Sequence, residues 1–164
     1  MKIMRILVPV DFSQGSELAL EWATLLASKA RGATIYLLHV TPSKAEEEAQ
    51  GFAGVGYLME KTEAKKLMSE WVKNLPPEIL SFPLFMKGSI PGVVERVCQE
   101  KSIDLVIMTT RGRRGMQALL PHSTTEETVR VAPCPVLVLH RNAKTASDSR
   151  ISAKAFPKVG LKLA

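Results

Sequence analysis

Residues 3–13 read Ile-Met-Arg-Ile-Leu-Val-Pro-Val-Asp-Phe-Ser, and this stretch decides the fold class. The compact aliphatic run Ile3–Val8 is of the kind that is buried on both faces in a parallel sheet. A short polar turn follows at Asp11, and apolar positions then recur at helical spacing from Ser16 onward. The beginning of the chain therefore predicts a strand followed by a helix.

The predicted helix has about 15 residues, with an apolar face that would pack on the sheet. Ser13 or Ser16 is available as its N-cap, and Gly32 is suited to end it. The apolar positions at helical spacing are Ala19, Trp22, Ala23, Leu26, Ala27 and Ala30.

The same alternation of strand and helix continues to His140 and predicts an open, doubly wound parallel α/β sheet with right-handed crossovers. Pro83 places the third strand near an edge of the sheet. We interpret residues 43–58, which combine an acidic run with three glycines, as an insertion. The later strands are predicted at Ala33–Val40, Glu78–Met86, Leu105–Met108 and Pro135–His140. Three later helices are predicted: one over about Met59–Asn74, one that follows a Ser89 cap, and one from Ser123 to about Val131. The helix after Ser89 is expected to bury Val93, Val94, Val97 and Cys98.

Composition indicates one folded domain in the 164 residues, of which 46% are hydrophobic and 23% charged. No apolar run approaches the roughly 20 residues of a membrane span. We therefore expect a cytoplasmic protein. The two cysteines, Cys98 and Cys134, lack metal-ligand spacing and the density of a disulfide framework, so reduced thiols are expected.

The net charge of +6 is concentrated at the C-terminal end. Residues 141–164 hold six basic side chains and one acid, whereas the preceding 140 residues hold 16 basic and 15 acidic side chains. The body of the protein therefore lacks the excess of positive charge that is typical of a nucleic-acid-binding protein, and we expect no specific nucleic-acid binding. We predict a domain over residues 1–141 and a basic, flexible tail over residues 142–164.

Two loops would meet at the carboxyl edge of the predicted sheet, where ligands bind in such folds. One is Pro9–Ser13, in which Asp11 could accept hydrogen bonds from a ribose or an adenine amine, or could only cap its own turn. The other is Thr109–Gly115 together with His122–Thr125 at a helix start, whose amides, hydroxyls and arginines have the chemistry of a phosphate cradle. Alternatively, Ser123 is a simple cap and the arginines are a solvated rim.

Several enzyme signatures are absent from the sequence. There is no phosphate-binding Gly-x-x-x-x-Gly-Lys-Ser/Thr, no Gly-x-Gly-x-x-Gly after the first strand and no Gly-x-Ser-x-Gly. His39, His122 and His140 lack metal-ligand spacing and are expected to be satisfied or exposed. No catalytic residue and no metal site are assigned.

The pieces Ile6–Ser13, Leu38–Val40, Asp104–Gly112 and Ser123–Val138, in this order and spacing, resemble the universal stress protein family, and specifically its UspA-like domain. The resemblance covers residues 3 to about 141. It implies a five-stranded parallel sheet, for which we expect the strand order 3-2-1-4-5, and a homodimer formed largely through the last strand, Pro135–His140. One subgroup of the family binds ATP or AMP, with Mg²⁺ accompanying ATP.

The phosphate motif of that subgroup is Gly-x-x-Gly, nine residues, and Gly-Ser or Gly-Thr. Here Gly112 and Ser123 match it, whereas Thr109 and His122 replace glycines. A β-branched Thr resists positive φ, and a His side chain occupies space that phosphates need. The remaining site residues implied by the resemblance are Pro9, Val10, Asp11, Val40 and Met108 around the adenosine, with Thr124 and Thr125 beside Ser123.

Three functions follow from these observations. The first is a dimeric regulatory protein that binds ATP or AMP at the loops after strands 1 and 4. The second is an interaction protein of the same fold that has lost nucleotide binding, which the replacements at Thr109 and His122 favour. The third is an enzyme, either a slow ATPase or an adenylating enzyme, for which the sequence has no attacking group and no Ser-Gly-Gly pyrophosphate loop.

Overall fold

The computed structural model describes residues 4–30, 32–43, 61–110 and 124–140. Most of the predicted insertion, the loop with Gly112, His122 and Ser123, and the predicted tail lie outside the described residues. The helices and strands are β1 (Arg5–Pro9), α1 (Gln14–Lys29), β2 (Thr34–Thr41), α2 (Lys61–Lys73), β3 (Leu80–Lys87), α3 (Ile90–Lys101), β4 (Leu105–Thr110), α4 (Thr124–Val131) and β5 (Val136–His140).

The five strands form one parallel sheet in the order β3-β2-β1-β4-β5, which confirms the predicted fold class and strand order. The aliphatic stretch at the N-terminus forms the central strand, and Ile6, Leu7 and Val8 have no exposed surface. The part of a strand that is flanked on both sides and covered on both faces must be apolar, because alternation would bury polar side chains.

The two faces of the sheet carry two separate apolar layers. Ile6 and Val8 point to one layer, which includes Met68 and Trp71 of α2 and part of α1. Leu7 points to the opposite layer, which includes Val94 and Val97 of α3. Adjacent residues of a strand point to opposite faces, so one short run supplies both layers.

The third strand lies at the sheet edge, as Pro83 predicts. Pro83 has no amide hydrogen to donate, and an edge strand tolerates that loss on its open side. Leu80 and Phe82 of this strand are 62% and 48% exposed. Phe82 stacks on Tyr36 of β2, with ring centroids 5.6 Å apart.

Helix α3 has the predicted cap and buried stripe. Ser89 accepts a hydrogen bond from the amide of Gly92, and Val93, Val94, Val97 and Cys98 are buried. In α1 the cap is Ser13, and the buried face is wider than the spacing from Ser16 suggested, since it also includes Leu18 and Leu25.

One carboxylate connects the beginnings of β1 and β4. Asp104 Oδ2 accepts hydrogen bonds from the backbone amides of Met4 at 2.9 Å and Arg5 at 2.8 Å. In return, the Asp104 amide donates to the carbonyl of Arg5 at 2.9 Å. The carboxylate therefore holds the two central strands together at the edge opposite the predicted ligand crevice.

Over the ranges that the structure describes, no helix is both long and apolar enough to cross a membrane.

Candidate functional site

The carboxyl ends of β1 and β4 lie side by side at the centre of the sheet, where the winding direction reverses. Pairing of β1 with β2 continues one residue beyond the strand, because the Val10 amide donates to the Leu38 carbonyl at 2.8 Å. The edge therefore brings together six of the predicted site residues, which are Pro9, Val10, Asp11, Val40, Met108 and Thr109. This is the position at which doubly wound sheets bind ligands.

Asp11 organises the loop between β1 and α1. Its Oδ1 accepts hydrogen bonds from the hydroxyls of Ser13 and Ser16, both at 2.5 Å, and from the Ser13 amide at 3.1 Å. The Ser16 hydroxyl also accepts a hydrogen bond from the Asp11 amide at 3.0 Å. The interpretation of Asp11 as the cap of its own turn is thus confirmed for this oxygen.

Phe12, the next residue, has a φ of +60°, which an aromatic side chain rarely adopts. Its ring is buried against Trp71 of α2, edge to face at 5.4 Å, and lies 5.0 Å from the ring of His39. Aromatic packing therefore holds the backbone in the left-handed region and sends the chain from β1 into α1.

His39 joins β2 to the same loop. Its Nδ1 donates a hydrogen bond to the Val10 carbonyl at 2.9 Å, since a carbonyl can only accept. The prediction of a satisfied histidine is confirmed here. His140 lies exposed at the end of β5.

The predicted adenosine-contacting residues differ in how much surface they offer. Val10 and Met108 are only 5% and 7% exposed, so little of either side chain is open to a ligand. Pro9, Val40 and Thr109 are half-buried, and Asp11 is exposed. Any ligand at this edge would contact mainly the half-buried residues and Asp11.

A groove of about 370 Å³ lies between the end of β4, α4 and β5. Thr110 and Thr125 supply hydroxyls to it, and Arg130 supplies a positive charge opposed by Glu126. Sequence analysis included Thr125 and placed Thr110 in a candidate loop, but it missed Arg130. Arg130 lies four residues after Glu126 on α4, and that helical spacing is the signal that indicates a shared face. The wall is completed by Val129 and Val138.

Thr109 contacts the first turn of α1. A Cβ atom placed on Gly15 would lie 2.5 Å from Thr109 Oγ1 and 3.5 Å from Thr109 Cβ. The threonine therefore fills space that exists only because residue 15 is glycine.

Among the described residues, no group of three or more His, Cys, Asp or Glu side chains is placed to hold a metal ion.

A family model for universal stress proteins matches residues 2–140. This chain belongs to the universal stress protein family. The match includes every helix and strand described above, together with both loops of the candidate site.

This universal stress protein is similar to several proteins of the family at low sequence identity. A universal stress protein of Methanocaldococcus jannaschii, MJ0531, is 26% identical over 148 residues, which is 85% of this chain and 84% of the relative. A universal stress protein of Archaeoglobus fulgidus, solved in complex with dAMP, superposes with a TM-score of 0.60 at 20% identity, over 84% of this chain and 98% of the other. A universal stress protein solved in complex with cAMP has a TM-score of 0.60 at 16% identity, over 86% of this chain and 99% of the other.

Thr109 is the departure from the nucleotide-binding motif that the structure describes. The sequence suggested that Thr would conflict with a positive φ at this position. Residue 109 instead lies within β4, and Phe12 and Ser102 are the non-glycine residues with positive φ in the described part of the chain. The threonine fits the backbone without strain, and its side chain is accommodated at Gly15.

Replacing Gly15 with alanine is expected to lower the free energy of unfolding by about 1 to 2 kcal/mol, because the new methyl group overlaps Thr109 Oγ1. This loss is expected although alanine favours helices by about 1 kcal/mol over glycine. Adding Thr109→Ala should restore most of the stability, with a coupling energy above about 1 kcal/mol in a urea double-mutant cycle. The double variant Gly15→Ala/Thr109→Val should remain destabilised, because valine keeps the volume of the threonine side chain. Additive effects would contradict the contact.

Proposed function

We propose that this universal stress protein binds an adenine nucleotide, AMP or ATP, at the edge where β1 and β4 end. The observation that carries the proposal is the convergence of the Pro9–Asp11 loop and the end of β4 at the point where the sheet reverses its winding direction. Proteins of the same fold have been solved with dAMP and with cAMP, which supports an adenine nucleotide as the ligand class.

The described residues fit the two ends of such a ligand differently. Pro9 and Val40 offer half-buried apolar surface for a base, and Asp11 is exposed beside them. The hydroxyls of Thr110 and Thr125 and the guanidinium of Arg130 line a groove large enough for a small ligand. By resemblance, Gly112 and Ser123 would complete the phosphate side, whereas His122 stands where the motif has glycine.

Binding is expected to be micromolar or weaker, because Thr109 and His122 reduce backbone approach while each charged hydrogen bond contributes about 1.5 to 3 kcal/mol. Ser123→Ala and Asp11→Asn should each weaken binding by about tenfold, or about 1.4 kcal/mol. The double variant Thr109→Gly/His122→Gly should bind more tightly. Isothermal titration calorimetry with AMP and ATP measures each affinity.

Ser16→Ala is the control for Asp11. It removes a hydroxyl that donates to Asp11 Oδ1 within the loop, without removing the carboxylate. If Ser16→Ala weakens binding as much as Asp11→Asn, Asp11 acts through loop geometry. No heat from any of these proteins, the double-glycine variant included, would exclude nucleotide binding and leave an interaction protein, the function that the replacement of two motif glycines by Thr109 and His122 favours.

We further propose that the protein forms a homodimer through β5. This strand is the outermost one of the sheet, and Val138 is 37% exposed and lines the same groove as the exposed Val129 of α4. An exposed aliphatic edge strand is a site at which another chain can pair.

Light scattering at about 50 μM, well above the dissociation constant of a typical stable interface, should report a dimer. Val138→Lys should shift it to a monomer. Phe82→Lys is the matched control, because Phe82 is similarly exposed but lies at the opposite edge of the sheet. A monomeric parent protein, or equal effects of the two lysines, would argue against the β5 interface.

A further inference from the structure

The two cysteines of the chain meet in space although they are 36 residues apart. Cys134 Sγ lies 3.8 Å from Cys98 Sγ, in hydrogen-bonding contact, and both are free thiols. This contact is independent of the nucleotide site proposed above.

Both thiols are held on well-packed parts of the fold. Cys98 is 2% exposed and belongs to the apolar layer formed with Val94 and Val97 of α3. Cys134 is half-buried against the same layer, in the connection between α4 and β5. The next residue, Pro135, is tied to β4 because its carbonyl accepts a hydrogen bond from the Val106 amide at 3.0 Å.

A disulfide bond has a length of about 2.05 Å, so the sulfurs must approach by about 1.8 Å to form one. Rotation about the Cα–Cβ bonds moves a sulfur by such distances, and the elements that hold the two residues are already in contact. Holding the two thiols together converts disulfide formation into an intramolecular step, which favours it over crosslinking between chains.

We propose that Cys98 and Cys134 form a modification site at which a hydroperoxide produces an intramolecular disulfide. In the first step the Cys134 thiolate attacks one peroxide oxygen, the O–O bond breaks, and the sulfur becomes a sulfenic acid while the other oxygen leaves as hydroxide or alkoxide and takes up a proton. In the second step the Cys98 sulfur attacks the sulfenic sulfur, the S–O bond breaks, and the departing hydroxide takes up the proton lost by the Cys98 thiol and leaves as water. Two thiols and one hydroperoxide thus give one disulfide, one water from the sulfenic acid, and water or an alcohol from the peroxide.

The order of attack follows from exposure. Cys134 is partly open to solvent, whereas Cys98 is almost fully buried and is reached through its neighbour. Burial raises the pKa of the Cys98 thiol to about 12 and also raises the pKa of Cys134. Since the thiolate is the nucleophile, oxidation should be slow at neutral pH and should accelerate as the pH rises, by about tenfold per unit below the pKa of the attacking thiol.

The test uses the reduced full-length chain, freed of reductant and treated with hydrogen peroxide at about pH 8. Intact-mass spectrometry should show a monomer lighter by about 2 Da, distinct from the gain of about 16 Da that marks each oxidised methionine. Thiol titration in denaturant should fall from two thiols per chain to none. Peptide mapping should recover the segments containing Cys98 and Cys134 as one linked species.

Three controls make the result decisive. Cys98→Ala and Cys134→Ala should each abolish the lighter monomer. In the parent chain unfolded in guanidinium, the lighter monomer should be a smaller share of the oxidised products relative to overoxidised cysteines and crosslinked chains, because unfolding removes the preset proximity. Rates between about pH 7 and pH 9 should rise with pH.

Persistence of two titratable thiols after methionines have been oxidised would overturn the proposal. Crosslinked dimers or singly overoxidised cysteines as the only thiol products would overturn it as well, and so would an equal share of the lighter monomer in the unfolded chain.

Discussion

Replacing Phe12 with alanine is expected to lower the free energy of unfolding by about 3 to 4 kcal/mol, the usual loss for a buried aromatic side chain. Phe12 is 8% exposed and packs against Trp71 and His39 at the point where β1 turns toward α1. Its truncation removes the contact that joins α2 to the loop carrying Asp11. Chemical denaturation monitored by circular dichroism measures the loss.

Glycine at this position should be about 1 kcal/mol more stable than alanine, because residue 12 has a φ of +60° and only glycine adopts that conformation without a steric cost. Val10 provides the matched control. It is buried in the same layer, and its φ is not positive, so Val10→Gly should be less stable than Val10→Ala. The same order of glycine and alanine at both positions would contradict the strained conformation of Phe12.

Asp104→Ala is expected to reduce the free energy of unfolding by about 2 to 3 kcal/mol. The variant removes a charged acceptor from two backbone amides, those of Met4 and Arg5, which bond to Oδ2 at 2.9 and 2.8 Å. Hydrogen bonds to charged groups contribute about 1.5 to 3 kcal/mol each, and partial exposure of this site favours the lower end. Asp104→Asn, which keeps an oxygen acceptor without the charge, should lose about half as much. Urea unfolding of each variant gives these differences.

Arg5→Ala separates the amide contacts from the ion pair. The Arg5 guanidinium Nε lies 4.0 Å from Asp104 Oδ2, and its side chain is 44% exposed. Pairs of this kind contribute less than about 1 kcal/mol, and the variant retains the backbone amide. Arg5→Ala should therefore change stability by less than about 0.5 kcal/mol. A loss as large as that of Asp104→Ala would assign the stabilisation to the guanidinium instead.

The elements whose signals are local were predictable from the sequence. The run Ile3–Val8 predicted a strand buried inside a parallel sheet, because a strand covered on both faces carries apolar side chains on both. Pro83 indicated an edge strand because it lacks an amide hydrogen. The Ser89 cap and the stripe from Val93 to Cys98 followed from helical geometry, and each was found as predicted.

The conformation of Phe12 is local yet was not predictable. Aromatic residues rarely adopt a positive φ, so no sequence pattern indicates one. The structure accepts the cost because Trp71 and His39, which come from α2 and β2, enclose the ring. Tertiary packing overrode the backbone preference.

The sequence by itself determined the alternation of strands and helices, the apolar layers and the loops that meet at the carboxyl edge of the sheet, because these depend on residue spacing within one element. Only the tertiary structure brought Asp104 to the amides of β1, Thr109 to Gly15 and Cys134 to Cys98. Each of these contacts joins residues from different elements. Its existence depends on the register and rotation with which those elements pack, and periodicity along the chain does not contain that information.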